Sequence, residues 1–249
     1  MTLPALGDTD RSTIPWVDWP VLSPRINQIW DPENTPHHSI VGLSGSGKSY
    51  LMVHGLLKPM CAWDRVLLVD TKGDDPVSSS VGHPVRKIPE KHWTVQEKRK
   101  KGDQWWRLVV SENLSEARTQ VSRALSTVYN EGGWVVVFDE IRDITDPQAS
   151  RFRGLDMLGQ VDLLYRKGRY RKVSIVAATQ SPRWAPPAFY DQASFAWIGR
   201  IRDEQRQKRL LEIGGLSKSE LSYVSTLKRR EWLVSADAGE MFARTKVVV

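Results

Sequence analysis

Cysteine is almost absent from this sequence: Cys61 is the only one in 249 residues. A lone thiol excludes an intrachain disulfide and a thiolate zinc cluster, and leaves Cys61 as a core thiol. An unbroken apolar run of roughly 18 residues is also missing, so no segment reads as a membrane-spanning helix. The N-terminus, with Asp8, Asp10 and scattered prolines, lacks the basic and apolar regions of a signal peptide. The chain is expected to be cytoplasmic, with no membrane partner. It has no internal repeat and no low-complexity tract. What it does have is 40% hydrophobic residues, enough for the core of one α/β domain, and a formal net charge of +7. That excess of cations points to an acidic partner, nucleic acid first.

The stretch Gly42-Leu-Ser-Gly-Ser-Gly-Lys-Ser49 matches G-x-x-x-x-G-K-[ST], a phosphate-binding P-loop. Gly42, Gly45 and Gly47 permit positive φ and leave no Cβ in the way. The backbone N–H groups of the loop, Ser44 and Ser46 included, can therefore turn inward as an anion nest. Lys48 is placed to reach the β- and γ-phosphates, and the Ser49 hydroxyl to ligate Mg²⁺ at a helix start whose dipole favours anions. Ser39–Val41 reads as a short buried strand entering the loop, and Tyr50–Leu57 as the helix leaving it, so Tyr50 completes the nucleotide-binding set. The remaining alternative, a plain glycine-rich turn, does not account for that strand and helix.

Two further apolar runs end in carboxylates. Arg65–Asp70 has the pattern of a parallel strand buried on both faces, followed by the turn-forming Thr71-Lys-Gly-Asp74. Trp134–Phe138 leads into Asp139 and Glu140. Beside a P-loop, Asp139 is placed for Mg²⁺ and Glu140 for polarising an attacking water, a pairing expected of NTP hydrolases. Between these runs, Trp106–Val110 reads as another strand, and Asn113 with Glu116 caps a helix that closes at Gly132-Gly133. A helix is expected over Asp146–Arg166, with Leu155, Leu158, Val161, Leu164 and Tyr165 on one face. It leads through Arg166, Lys167, Arg169, Arg171 and Lys172 to the strand Val173–Gln180, whose Gln180 can sense a γ-phosphate. Any one of those arginines is either a finger into a neighbour's site or a solvated helix-end cation. After a further strand at Phe195–Ile198 come helices from Asp203 to Ile213 and after Ser217, then a terminal hairpin, Glu231–Ala236 with Met241–Val249.

Two segments stand apart in composition. Residues 1–37 are rich in proline and tryptophan and read as an extended arm, hiding its tryptophans on its own domain or on a neighbour; the domain proper is 38–249. Residues 84–107 carry eight Lys or Arg against three acids, with His92, Trp93, Trp105 and Trp106 between them. That run is either a surface tracking a phosphate backbone or a solvated face.

The order of these motifs resembles the FtsK–HerA superfamily of ring-shaped DNA-pumping ATPases, and in size the viral genome-packaging ATPases within it. The resemblance rests on the P-loop, Asp70-Thr-Lys-Gly73, Asp139-Glu140 and Gly168-Arg169 leading to Ala178-Thr-Gln180, and spans residues 38–200. It implies an α/β fold of RecA-like (ASCE) type, a mainly parallel sheet of order 5-1-4-3-2. It further implies ATP and Mg²⁺ as ligands, with Lys48 and Ser49 on them, Asp139 as the metal-side acid, Glu140 as catalytic base, Gln180 as sensor and Arg169 as trans finger. Implied partners are double-stranded DNA, copies of the same chain in a pentameric or hexameric ring, and a portal or other docking protein. Ser181-Pro182 departs from the Arg-Pro that often follows Thr-Gln in the family. The expected activity is ATP-driven DNA translocation. The alternatives are a secretion, assembly or conjugation ATPase of the same superfamily and, less well matched to adjacent Asp139-Glu140, a small-molecule kinase.

Overall fold

The runs of Val, Ile and Leu become strands of one nine-stranded sheet. In chain order they are β1 (His37–Val41), β2 (Arg65–Asp70), β3 (His83–Val85), β4 (Gln104–Val109), β5 (Trp134–Phe138), β6 (Ser174–Thr179), β7 (Ala193–Ile198), β8 (Glu231–Ala236) and β9 (Met241–Lys246). This computed structural model describes residues 14–71, 73, 75–88, 104–148, 154–213, 218–236 and 241–248. The spatial order is β3-β4-β2-β5-β6-β1-β7-β8-β9. Pairings are parallel from β3 through β7, and antiparallel between β7, β8 and β9. The fold is therefore α/β with a mainly parallel sheet. Counting β1, β2, β5, β6 and β7 as strands one to five, the middle of the sheet has the order 5-1-4-3-2. The full sheet departs from that five-stranded order. β4, read above only as a strand over Trp106–Val110, joins β3 outside β2, and the terminal hairpin extends the other edge.

Both faces of the sheet are covered, which is why its strands are apolar throughout rather than alternating. Along β2, Leu67 and Val69 belong to one core layer and Val66 and Leu68 to the other; along β5, Val136 and Phe138 alternate in the same way with Val135 and Val137. The first layer is closed by the helix Leu114–Glu131, which starts at Asn113, whose side chain accepts from the N–H groups of Ser115 and Glu116, and stops at Gly132 with φ 65°. Glu116 does not complete the expected reciprocal cap: its carboxylate accepts instead from Ser111 Oγ at 2.6 Å. The helix expected from Asp146 begins only at Leu158 and runs to Lys167; a short helix, Ile141–Thr145, precedes it. Among the described residues no helix is long and apolar enough to cross a membrane.

The proline-rich segment is not simply extended. Trp19–Ile29 is helical, with Pro20 in the first turn, where a missing N–H costs nothing, and Pro24 inside it. Tertiary burial outweighs the bond lost at Pro24, because Trp19, Leu22 and Ile26 all enter the second core layer beside the P-loop helix. Trp30 follows, fully buried, with its indole N–H donating to Ser174 Oγ at 3.0 Å. Trp16 by contrast is 46% exposed.

β1 opens with two buried histidines. His37 Nδ1 accepts from Ile175 N–H at 3.1 Å, which leaves Nε2–H to face Tyr165 O at 3.3 Å. His38 Nδ1 accepts from the Trp197 indole at 3.1 Å, and its ring stacks on Phe195. Burial, reinforced by the charge of Arg169, pushes His37 down from 6.5 to about 3. Burial, then the neighbouring His37, holds His38 well below its ordinary value. Both groups have lower affinity for protons folded than unfolded, so their effect on stability is nil above pH 6.5 and grows as pH falls toward the folded values. Each should remove about 1.4 kcal/mol per pH unit in that window. Urea unfolding free energies measured between pH 7 and about pH 5, above most carboxylate titrations, should fall accordingly. A flat profile would contradict the buried neutral pair.

Candidate nucleotide and catalytic site

The P-loop lies between β1 and its helix, at the sheet edge where the parallel strands end. Gly45 and Gly47 have φ of 74° and 101°, values that favour glycine, as expected for an inward-turned loop. At Gly42 only the second of the two expected reasons for glycine applies: its φ is not positive, but a Cβ on it would stand 2.7 Å from Ser46 Oγ. Helicity begins at Lys48, and the expected α-helix continues over Leu51–Leu57 as a π-helix. Gly55 lies within it, where a Cβ would come 3.0 Å from Leu51 and 3.1 Å from Val247.

The donors of the loop fit a polyphosphate. Ser46 Oγ is buried without a hydrogen-bond partner. Lys48, 6% exposed, holds its ammonium 2.9 Å from Gly42 O and 3.0 Å from Leu43 O, across the mouth of the cradle. Ser44 is exposed and Ser49 and Tyr50 are half-buried, so all three keep access to a ligand. Ser49 and the carboxylate of Asp139 are hard oxygen donors of the kind Mg²⁺ takes with a nucleotide.

The acids cluster where β2, β5 and β6 end. Asp139 is fully buried and its Oδ1 accepts from Thr71 Oγ at 3.1 Å; Thr71 Oγ is also 3.2 Å from Asp143 Oδ2. One hydroxyl proton serves two carboxylates, so Thr71 donates to one at a time. Glu140 Oε1 accepts from Thr179 Oγ at 2.8 Å and Oε2 from the Gln180 N–H at 3.0 Å. Burial raises the Glu140 carboxyl above the usual range. The two hydrogen bonds oppose that shift, the nearby Asp143 adds to it, and Lys48 draws it back. Gln180 itself enters through its backbone: N–H to Glu140, and its carbonyl accepting from Arg206 Nη1 at 3.4 Å.

Other predicted residues fall elsewhere. Arg169 sits in a turn before β6, at the end of the sheet remote from the P-loop, where it donates to Gln192 O at 3.1 Å and Ser194 Oγ at 3.4 Å. Asp70 is structural: its buried carboxylate accepts from Gly73 N–H at 2.8 Å and pairs with Arg107 at 2.9 Å. Lys72 and Asp74 lie outside the described residues, as do 89–103, most of the basic run. Asp143 and Arg230 went unsingled by sequence, and Thr71 was read only as part of the turn after β2. Asp143 carries a readable signal, one helical turn after Glu140. Arg230 carries none, since it meets the P-loop only through the fold, its N–H donating to Ser46 O at 2.8 Å.

No protein-family model and no curated protein matches the sequence. Solved structures do resemble this fold. The genome packaging NTPase B204 from Sulfolobus turreted icosahedral virus 2, in complex with sulfate, superimposes with a TM-score of 0.62 at 16% identity, covering 88% of this chain and 98% of that one. B204, the DNA-packaging ATPase from Sulfolobus Turreted Icosahedral Virus, gives 0.58 at 17%, covering 86% and 98%. The pCW3 conjugation coupling protein TcpA, with ATPγS, gives 0.52 at 15%, covering 86% of this chain and 60% of that one. The chain thus has the P-loop ATPase fold, in the form taken by these packaging and conjugation proteins.

Proposed function

We propose that this chain is an ATP-hydrolysing motor of FtsK–HerA type that translocates double-stranded DNA, most closely a viral genome-packaging ATPase. The observation that carries the reading is the juxtaposition of a P-loop lysine with Asp139 and Glu140 at the tip of β5, one strand removed from β1 across β6. Lys48, with the loop N–H groups and Ser46, holds the phosphates and offsets charge on the β- and γ-oxygens. Glu140, as carboxylate, orients a water and takes its proton as oxygen attacks the γ-phosphorus and the bond to the β-phosphate oxygen breaks. Ser49 and Asp139 are the residues that would hold Mg²⁺, which would supply positive charge to offset that of the phosphates. In its own subunit Arg169 is out of reach of the phosphates, so a finger role for it requires a ring in which it enters the neighbour's site. Net positive charge and the likeness to B204 over 88% of this chain support DNA as the track.

The test is steady-state ATP hydrolysis with and without double-stranded DNA, alongside the mass in solution with a non-hydrolysable ATP analogue. An oligomer of five or six copies with DNA-stimulated turnover is expected. Turnover indifferent to DNA, in a species that co-purifies with envelope proteins, would favour a secretion or assembly ATPase; the likeness to TcpA favours conjugative transfer among such alternatives.

A further inference from the structure

The sheet order puts the catalytic acids on one side of the P-loop strand and an unassigned cation on the other. β5 and β6 bring Asp139, Glu140 and Thr179 to one side of β1; β7 and β8 continue on the opposite side. Because β8 runs antiparallel to β7, with Leu233 opposite Ile198, the residue leading into β8 stands at the same sheet edge as the P-loop. That residue is Arg230. Its N–H donates to Ser46 O at 2.8 Å and its carbonyl accepts from Val247 N–H at 3.0 Å. A Cβ on Gly47 would be 3.1 Å from Arg230 Cγ. The guanidinium carbon lies 3.7 Å from the centre of the Tyr50 ring, which in turn touches His54 at 4.9 Å.

Arg230 has a φ of 65°, the left-handed region where glycine is favoured. Both of its anchoring bonds are made by the backbone, and glycine would make them with less strain. What arginine adds is the guanidinium, a planar cation held over an aromatic ring, and both residues stay half-exposed. A nucleoside triphosphate whose γ-phosphate meets Glu140 must cross the loop N–H groups and deliver its base to the opposite side, where this stack stands.

We propose that Tyr50 and Arg230 form the base end of the nucleotide site, the guanidinium presenting a flat cationic face on which a purine stacks. This rests on the reading that the P-loop binds a nucleoside triphosphate, and it adds the determinant for the base. Arg230 is then a binding residue with no part in phosphoryl transfer.

The experiment is calorimetric titration of the full chain, with Mg²⁺, by a non-hydrolysable ATP analogue and separately by inorganic tripolyphosphate. Arg230→Gly removes the guanidinium while suiting the positive φ, so its melting temperature should be no lower than that of the unsubstituted protein. Its affinity for the ATP analogue should fall roughly tenfold with tripolyphosphate affinity unchanged, and Arg230→Lys should not restore it, since an ammonium offers no plane. An unchanged affinity for the analogue overturns the assignment. So does an equal loss for both ligands, which would make Arg230 a support of the phosphate loop. If the unsubstituted protein bound neither ligand, the nucleotide reading itself would fall, and the base assignment with it.

Discussion

Lys48→Ala should bind ATP at least a hundredfold more weakly and release no phosphate above background. The magnitude follows from what the ammonium does: hydrogen bonds to charged groups contribute about 1.5–3 kcal/mol each, and a phosphate-bound lysine makes at least one strong one in a low-dielectric cradle. A second effect adds to it. Lys48 also bridges the carbonyls of Gly42 and Leu43, and so fixes the entry to the loop. Without it the loop N–H groups lose part of their common orientation, so even residual binding should show faster dissociation. The core is not touched: neither β1 nor the two apolar layers includes the lysine side chain, and far-ultraviolet circular dichroism should be unchanged. Calorimetry with a non-hydrolysable analogue and a phosphate-release assay together decide the point. A variant that bound nucleotide as the unsubstituted protein does would remove the P-loop from the site.

The parts of the site that were legible in the sequence are those whose chemistry is local. The P-loop is a contiguous pattern, and Asp139-Glu140 follows its own buried strand, so position in the chain and position in the sheet coincide. The same holds for the five strands in the middle of the sheet and for the helix capped by Asn113. What could not be read are arrangements made by distant segments. Thr71 meets Asp139 across two strands, and Arg230 meets Ser46 and Tyr50 from opposite ends of the chain. At Gly42 spacing alone does not distinguish conformational freedom from the need for room, and only the need for room, beside Ser46, applies. Proline at positions 20 and 24 suggested an extended arm, yet burial of Trp19, Leu22 and Ile26 supplies enough apolar contact to hold a helix there. Arg169 was singled out through the resemblance as a finger into a neighbour's site; within its own subunit β6 separates it from the P-loop end of the sheet by a strand's length.

Glu140→Gln should keep nucleotide affinity within a few-fold while turnover drops by about 10²–10⁴, the range a positioned general base contributes. Affinity survives because Glu140 is held by Thr179 and Gln180 at the end of β6 and not within the loop that cradles the phosphates. Turnover is lost because an amide cannot take the proton from water. The substitution has a structural cost: glutamine offers one acceptor oxygen where glutamate uses two, so with that oxygen on the Gln180 N–H the Thr179 hydroxyl must turn and accept from the side-chain amide. A trapped, ATP-bound species is therefore expected, with the turn after β6 loosened. The pH profile supplies an independent check of the same assignment. A base must be ionised, and burial raises the Glu140 carboxyl above its ordinary value, so turnover should fail on the acid side at a higher pH than an exposed glutamate would give. Removing the Thr179 hydroxyl, as in Thr179→Val, takes away a bond that stabilises the carboxylate and should move that acid limb further up. If Glu140→Gln turned over as fast as the unsubstituted protein, or if Thr179→Val left the limb in place, the proton would have another destination. Asp143, which shares the Thr71 hydroxyl with Asp139 and raises the Glu140 carboxyl, would be the next group to test.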